Sequence, residues 1–142
     1  MIVYPDTSYL TAVYLKDVHS PEAYRRMVLR PRLLISPFGR AELSNAFYRQ
    51  VFLQRVTEVD ARRAWENFEL DCRSRLLQAV EFPETAWNGA IDLARRFVPA
   101  LGVRTLDPLH VACALELGAK KFWTFDERQA KPAEAVGLDT SP

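Results

Sequence analysis

Four acidic residues stand where a carboxylate can do more than solvate a surface. Asp6 ends the apolar run Ile2-Val3-Tyr4-Pro5, and Asp126 ends a second, Lys121-Phe122-Trp123-Thr124-Phe125. Asp107 lies in Thr105-Leu106-Asp107-Pro108, at the mouth of an apolar helix, and Glu42 lies inside another helix. Two acids past strand ends and a third at a helix mouth would crowd negative charge at one edge of a sheet. A divalent cation among them relieves that repulsion. No histidine or cysteine accompanies the four, which argues against zinc. Oxygen-only ligands suit Mg²⁺ or Mn²⁺. Magnesium keeps several waters and takes only one or two carboxylates directly, so the other acids would hold its waters. A cation held this way lowers the pKa of a bound water and clamps a phosphodiester through its oxygens, offsetting charge that builds in the transition state.

Each acid also has a plainer explanation. Asp6, Asp107 and Asp126 each precede a helical pattern, where aspartate is a favoured cap. Glu42 is compatible with a surface ion pair. The case for chemistry rests on the four as a set.

The elements that must position them follow from the apolar patterning. Strands are expected at residues 2–4, at Leu33-Leu34-Ile35, at Leu77–Phe82 and at Lys121–Phe125, with a weak last strand at Leu138. Helices are expected over Tyr9–Leu15, then from Ser20 as cap with Pro21 at the first position to Leu29, and onward from Ser36-Pro37. In this last helix Glu42, Asn45 and Arg49 share a side. Thr57 with Asp60 forms a capping-box analogue ahead of the stripe Ala61, Ala64, Trp65, Phe68 and Cys72. Glu84–Leu101 is expected to be helical with Trp87, Ile91, Ala94, Phe97 and Val98 inward, stopped by Gly102. Helices over Leu109–Leu117 and Glu127–Val136 complete the chain. Strands alternate with helices throughout, which argues an α/β fold with a mainly parallel sheet covered on both faces. Its ligand site belongs at the carboxyl ends of the strands, just where Asp6 and Asp126 fall.

At 142 residues the chain is expected to form one domain, residues 1–142, with a substantial core. Hydrophobic residues at 49% and charged residues at 26% fit a globular protein. No apolar run nears the roughly 20 residues of a membrane helix, and Asp6 interrupts the only early apolar run, so no signal peptide is read. Cys72 and Cys113 lack CxxC spacing and read as buried thiols of a reducing, cytoplasmic protein. The net charge is +1, but setting the four acids aside leaves 19 basic against 14 acidic residues. Eleven arginines lie between Arg25 and Arg75, against seven acids from Glu22 to Asp71. Arginine forks suit phosphate, although composition alone reads this stretch as a solvated face.

Four segments carry a family likeness: Asp6-Thr7-Ser8; Glu42-Leu43-Ser44-Asn45-Ala46; Leu106-Asp107-Pro108-Leu109-His110-Val111-Ala112; and Phe122-Trp123-Thr124-Phe125-Asp126-Glu127-Arg128. In order and spacing the chain resembles PIN-domain proteins, most closely the toxins of VapBC-type toxin–antitoxin pairs. The resemblance implies a three-layer α/β/α fold and a Mg²⁺- or Mn²⁺-dependent endoribonuclease in which metal-activated water hydrolyses RNA in line, leaving a 5′-phosphate and a 3′-hydroxyl. It assigns Asp6, Glu42, Asp107 and Asp126 to the metal centre. Thr7 and Thr124 match hydroxyls that order that centre, Asn45 a polar neighbour of the helix acid, and Arg128 a contact to RNA phosphate or to an acid. It further implies a homodimer and a VapB-like antitoxin whose tail enters the acidic cleft. The helices between Ser20 and Arg75 are the expected surface for both. Pro5 stands where an aliphatic strand residue is expected, so the first strand is expected to end early.

Two other classes compete. A catalytically inactive PIN scaffold that binds RNA or protein would be missing one or more acids, and none is missing. A phosphoacceptor domain would need paired acids after the first strand and a lysine after the last; Asp6 is alone and only Asp139-Thr140-Ser141-Pro142 follows Leu138. The absence of GxxxxGK[ST] excludes a P-loop NTPase. His110 reads as a buried structural histidine, His19 as loop surface, and Trp65, Trp87 and Trp123 as core rather than as base-stacking residues.

Overall fold

The structure is a computed structural model that describes residues 1–104 and 106–142; the expected role of Thr105 at the helix mouth lies outside the described residues. The order is β1 (Ile2–Pro5), α1 (Thr7–Tyr14), α2 (Ser20–Met27), β2 (Arg32–Ile35), α3 (Pro37–Phe52), α4 (Glu58–Arg73), β3 (Leu77–Ala79), α5 (Ala86–Leu101), α6 (Leu106–Glu116), β4 (Lys121–Trp123) and α7 (Glu127–Ala135). The four strands form one all-parallel sheet in the order β3-β2-β1-β4. β1 is therefore central, and its carboxyl end lies beside that of β4.

Strand alternation divides the core in two. Val3, Leu33, Ile35, Leu77 and Trp123 face α1 to α4 and pack on Leu10, Phe47 and Phe68. Tyr4 and Phe122 face the other way, onto Ala86, Leu93, Leu109, Val111 and Ala133 of α5 to α7. The result is a sheet covered on both faces, as parallel sheets require.

Several boundaries differ from the sequence expectation. β1 does not end early: Pro5 pairs with Trp123 of β4. The Asp6 N–H donates to the Trp123 carbonyl at 3.0 Å, so by alternation the proline nitrogen faces β2. There the register stops at Val3 and Leu33, and the missing N–H costs no ladder bond. β3 stops at Ala79 rather than Phe82, because its partner β2 ends at Ile35. Leu138 is buried, but the last segment makes only a single bridge, Lys121 to Asp139, and not a strand. α2 is capped in position by His19, not Ser20. Ser20 is buried inside the helix, where its hydroxyl donates to the Ala12 carbonyl at 2.7 Å and accepts the Asp17 N–H at 2.9 Å.

The inward face of α5 also differs. Trp87 is 53% and Ile91 52% exposed, and Val98 is exposed as well, while Ala86, Ala90 and Leu93 are buried. Helix α5 carries two apolar stripes one residue apart, and periodicity does not choose between them. The stripe of small residues wins because α5 and α6 approach closely: a Cβ on Gly89 would lie 3.3 Å from that of Ala112. The core reading therefore holds for Trp123, which is fully buried, and for the half-buried Trp65, but not for Trp87.

Candidate active site

Asp6 follows β1 and sits at the N-cap of α1, where its Oδ1 accepts the Tyr9 N–H at 2.9 Å. It is only 2% exposed. The Ser8 hydroxyl donates to Oδ1 at 2.7 Å and the Thr124 hydroxyl to Oδ2 at 2.6 Å. Both carboxylate oxygens are thus fixed, one from α1 and one from the end of β4. The cap explanation of Asp6 and its place in the cavity are both true, because a helix that starts at a strand end puts its cap at the sheet edge.

Asp126 is likewise the cap of α7, accepting the Arg128 N–H at 2.9 Å. Its own N–H donates to Thr124 Oγ1 at 2.9 Å, so one hydroxyl ties the backbone of Asp126 to the side chain of Asp6. Asp107 lies inside the first turn of α6 and its Oδ2 accepts the Arg104 N–H at 3.0 Å. Glu42, on the second turn of α3, is positioned by the Ser36 cap, whose hydroxyl accepts the Gly39 N–H at 3.1 Å. Its Oε1 lies 2.7 Å from His110 Nε2, and His110 Nδ1 lies 2.8 Å from the Tyr4 hydroxyl.

All four acids line one cavity of about 350 Å³, together with Thr7, Ser8, Asp17, His19, His110, Phe125 and Gln129. Thr7 lies at this cavity, but the hydroxyls that bond Asp6 are those of Ser8 and Thr124. Asn45 is exposed and outside the cavity lining. On α3 the lining positions are Glu42, Ala46 and Gln50, at i+4 spacing, whereas Asn45, at i+3, falls to the other side of Glu42, about 100° from Ala46, and is exposed. Arg128 is exposed, with its Nε 3.5 Å from Asp126 Oδ1. His110 is buried as expected, yet it also touches Glu42.

Burial pushes the Asp6 carboxyl above the ordinary aspartate range, and the donors Thr124, Ser8 and Tyr9 and the nearby His110 only partly offset it. Asp107 is also pushed up, first by burial, with the Arg104 N–H opposing and the charge of Asp126 adding to the rise. These carboxylates are short of positive charge.

A hard divalent cation fits that deficit. The four acids offer only oxygens, come from four elements and share one cavity. Contrary to the sequence expectation, two histidines do accompany them there, but the His110 nitrogens are engaged by Glu42 and Tyr4 and the His19 ring stacks on Phe125. Among the described residues, no three His, Cys, Asp or Glu side chains stand close enough to form a ready ligand cluster. The carboxylates are instead engaged by hydroxyls, backbone N–H groups and His110 around the cavity wall. Such a set fits a hydrated ion, reached partly through waters, better than a closed cage.

Sequence reading missed Ser8 as a partner of Asp6, and His19 and Phe125 as part of the site. The His19 ring stacks on Phe125 with centroids 4.5 Å apart and planes at 6°. Ser8 stands next to Thr7 in the motif and was within reach of spacing arguments. The His19–Phe125 contact, between positions over a hundred residues apart, was not.

Comparison with known proteins follows the same lines. Among curated proteins, none matches the chain significantly. Among solved structures, the chain is similar to Mycobacterium tuberculosis VapC20, a sarcin–ricin loop cleaving toxin, at 18% identity with a TM-score of 0.73, over 99% of each chain. It is similar to the VapBC2 of Rickettsia felis, bound there to a DNA fragment from its promoter, at 18% identity and a TM-score of 0.66, over 99% of this chain and 98% of that one. It is also similar to FitAcB of Neisseria gonorrhoeae, at 15% identity and a TM-score of 0.66, over 100% and 97%. Identities this low are evidence of a shared fold. A family model for the PIN domain matches residues 3–135, which takes in the sheet, all four acids and the helices through α7: the chain belongs to the PIN domain family.

Proposed function

We propose that residues 1–142 act as one PIN unit, a Mg²⁺- or Mn²⁺-dependent endoribonuclease that serves as the toxin of a type II toxin–antitoxin pair. The observation that carries this reading is the convergence of Asp6, Glu42, Asp107 and Asp126 on one cavity at the carboxyl edge of the sheet. The similar structures support it, since they include a toxin described as cleaving the sarcin–ricin loop and a VapBC pair.

In this reading Asp6, Asp107, Asp126 and Glu42 hold the cation and its waters. When bound, the ion supplies Lewis acidity, acidifying a water and balancing the charge of the phosphate. Ser8 and Thr124 keep both oxygens of Asp6 in place. His110 holds Glu42 toward the cavity. Arg128, at the rim beside Asp126, is placed to meet a phosphate oxygen. RNA reaches the acids from the open side of the cavity, and water attacks phosphorus in line to leave a 5′-phosphate and a 3′-hydroxyl.

The same reading includes a homodimer, a cytoplasmic setting and a VapB-like antitoxin with a basic side chain in the acidic cavity. Among the described residues no helix is long and apolar enough to cross a membrane. Tyr24, Val28, Tyr48, Phe52 and Leu70 are exposed on or beside α2 to α4, where partner chains are expected.

The test is cleavage of total RNA by the purified chain with Mg²⁺, Mn²⁺ or chelator, beside Asp6→Asn, with new 5′-phosphate ends read by ligation and sequencing. Discrete metal-dependent ends that vanish in the variant are expected. A folded, antitoxin-free protein that makes none with either metal overturns the reading.

A further inference from the structure

Three aromatic rings lead from the core to the rim of the acid-lined cavity. Tyr9 of α1 stacks on Phe125 with centroids 5.7 Å apart and planes at 24°. Phe125 stacks in turn on His19 at 4.5 Å and 6°. Tyr9 is fully buried, Phe125 half-buried and His19 exposed, so the column ends in solvent. Both Phe125 and His19 line the cavity that holds the four acids.

The column is built rather than incidental. Phe125 lies between Thr124 and Asp126, and its N–H donates to Ser8 Oγ at 2.9 Å, the same hydroxyl that donates to Asp6. The guanidinium of Arg26 lies 5.4 Å from the Phe125 ring and is held by Glu22. The His19 N–H donates to Asp17 Oδ1 at 2.7 Å, and the Asp17 N–H to the buried Ser20 hydroxyl at 2.9 Å. The turn that carries His19 is thus pinned to α1 and α2.

The charged groups at the cavity, the four acids with the cation they would hold and Arg128 at the rim, address phosphate rather than base, so a base at this edge needs a contact of another kind. A flat ring at the exposed end of a stacked column supplies it, because every base has a π-face. We propose that the His19–Phe125 stack forms a platform for an unpaired nucleobase next to the phosphate that is cut. This rests on the endoribonuclease reading above and deepens it: it names His19 and Phe125 as the residues that hold a base beside the cut, which they can do only for an unpaired one. A base within an A-form duplex is already stacked on its neighbours and cannot reach the platform.

The test uses the full chain with Mn²⁺ and a short RNA spanning a site cut by the wild type. His19→Ala should raise KM about tenfold, the scale of one base–aromatic stack, with kcat and Tm little changed because the ring is exposed. His19→Tyr should restore KM. His19→Lys, which carries charge without a ring, should not. Abasic nucleotides are then placed one at a time on either side of the cut. One of them should raise the wild-type KM by the same factor and leave His19→Ala no worse. Annealing a complementary strand across the cut should abolish cleavage. An unchanged KM in His19→Ala, strictly additive effects of His19→Ala and every abasic position, or equal cleavage of the duplex would overturn the platform and leave the nuclease standing. A wild type that cuts no RNA removes both.

Discussion

Buried Asp6 and half-buried Asp107 are not equivalent, and their substitutions should separate. Asp107 keeps one backbone bond, to Arg104, which an asparagine oxygen can still accept, and its charge is opposed by Asp126. Asp107→Asn should lower cleavage about a hundredfold or more, a scale typical of losing electrostatic stabilisation of a transition state, while Tm holds or rises. Asp6 accepts from three donors using both oxygens. Asp6→Asn places an NH₂ against one of them and should cost about 1 kcal/mol of stability besides activity. Thermal melts beside single-turnover cleavage rates distinguish the two. The pH dependence has a definite sign. Both carboxyls are raised in the fold, so the native state holds more protons than the unfolded chain as pH climbs through the carboxylate range. The free energy of unfolding therefore falls over that window, and near neutrality the fold carries the cost of the charged forms. Adding Mg²⁺ or Mn²⁺ should raise Tm more near pH 7 than near pH 4, where protons already neutralise these groups. Equal shifts at the two pH values would argue against the acids as the binding site.

Each site residue depends on how an element begins. Helix α3 starts at the Ser36 cap and delivers Glu42 in its second turn; α7 starts at Asp126 itself. The turn into α2 depends instead on Ser20, whose buried hydroxyl closes off the end of α1 and anchors Asp17. Ser20→Ala would leave the Ala12 carbonyl and the Asp17 N–H without that partner. It should cost about 2 kcal/mol, more than Thr57→Ala, which removes an exposed capping box at the start of α4 worth about 1 kcal/mol. Chemical denaturation of both variants gives the order; a larger loss for Thr57→Ala would contradict it.

Across the whole molecule, charge is divided rather than absent. The net charge of +1 averages an acid-lined cavity with a chain whose arginines gather in α2 to α4 and the loops around them. If those arginines meet phosphates away from the cavity, log KM should rise with log salt with a slope of about 0.7 per phosphate engaged on a single strand. A flat dependence between low and physiological salt would mean that the arginines serve the fold or a partner chain instead. Apolar side chains are exposed on two separate faces, Tyr48 and Phe52 on α3 and Trp87, Ile91 and Val98 on α5, so the expected surface between Ser20 and Arg75 is not the only apolar one.

The sequence by itself determined the alternating α/β architecture and the carboxylates at two strand ends, for local reasons. Apolar runs that stop at Asp6 and Asp126, alternating with helical stripes, specify parallel strands whose ends carry carboxylates, and cap chemistry at Ser36 and Thr57 is read within four residues. What depends on packing between distant segments was settled only in three dimensions. The choice between two apolar stripes on α5 was decided by how near Gly89 lets α6 approach. The survival of β1 through Pro5 was decided by which neighbour its missing N–H faces. Asn45 and Glu42 sit close in sequence, yet a helix turns 100° per residue and carries one of them out of the cavity. His110 joins Tyr4 to Glu42, and His19 meets Phe125, across separations that no local pattern encodes. Types and spacing along the chain select the elements. Which side chains touch at a sheet edge is set by the packing of those elements against one another, because each contact there joins segments that only the tertiary fold brings together.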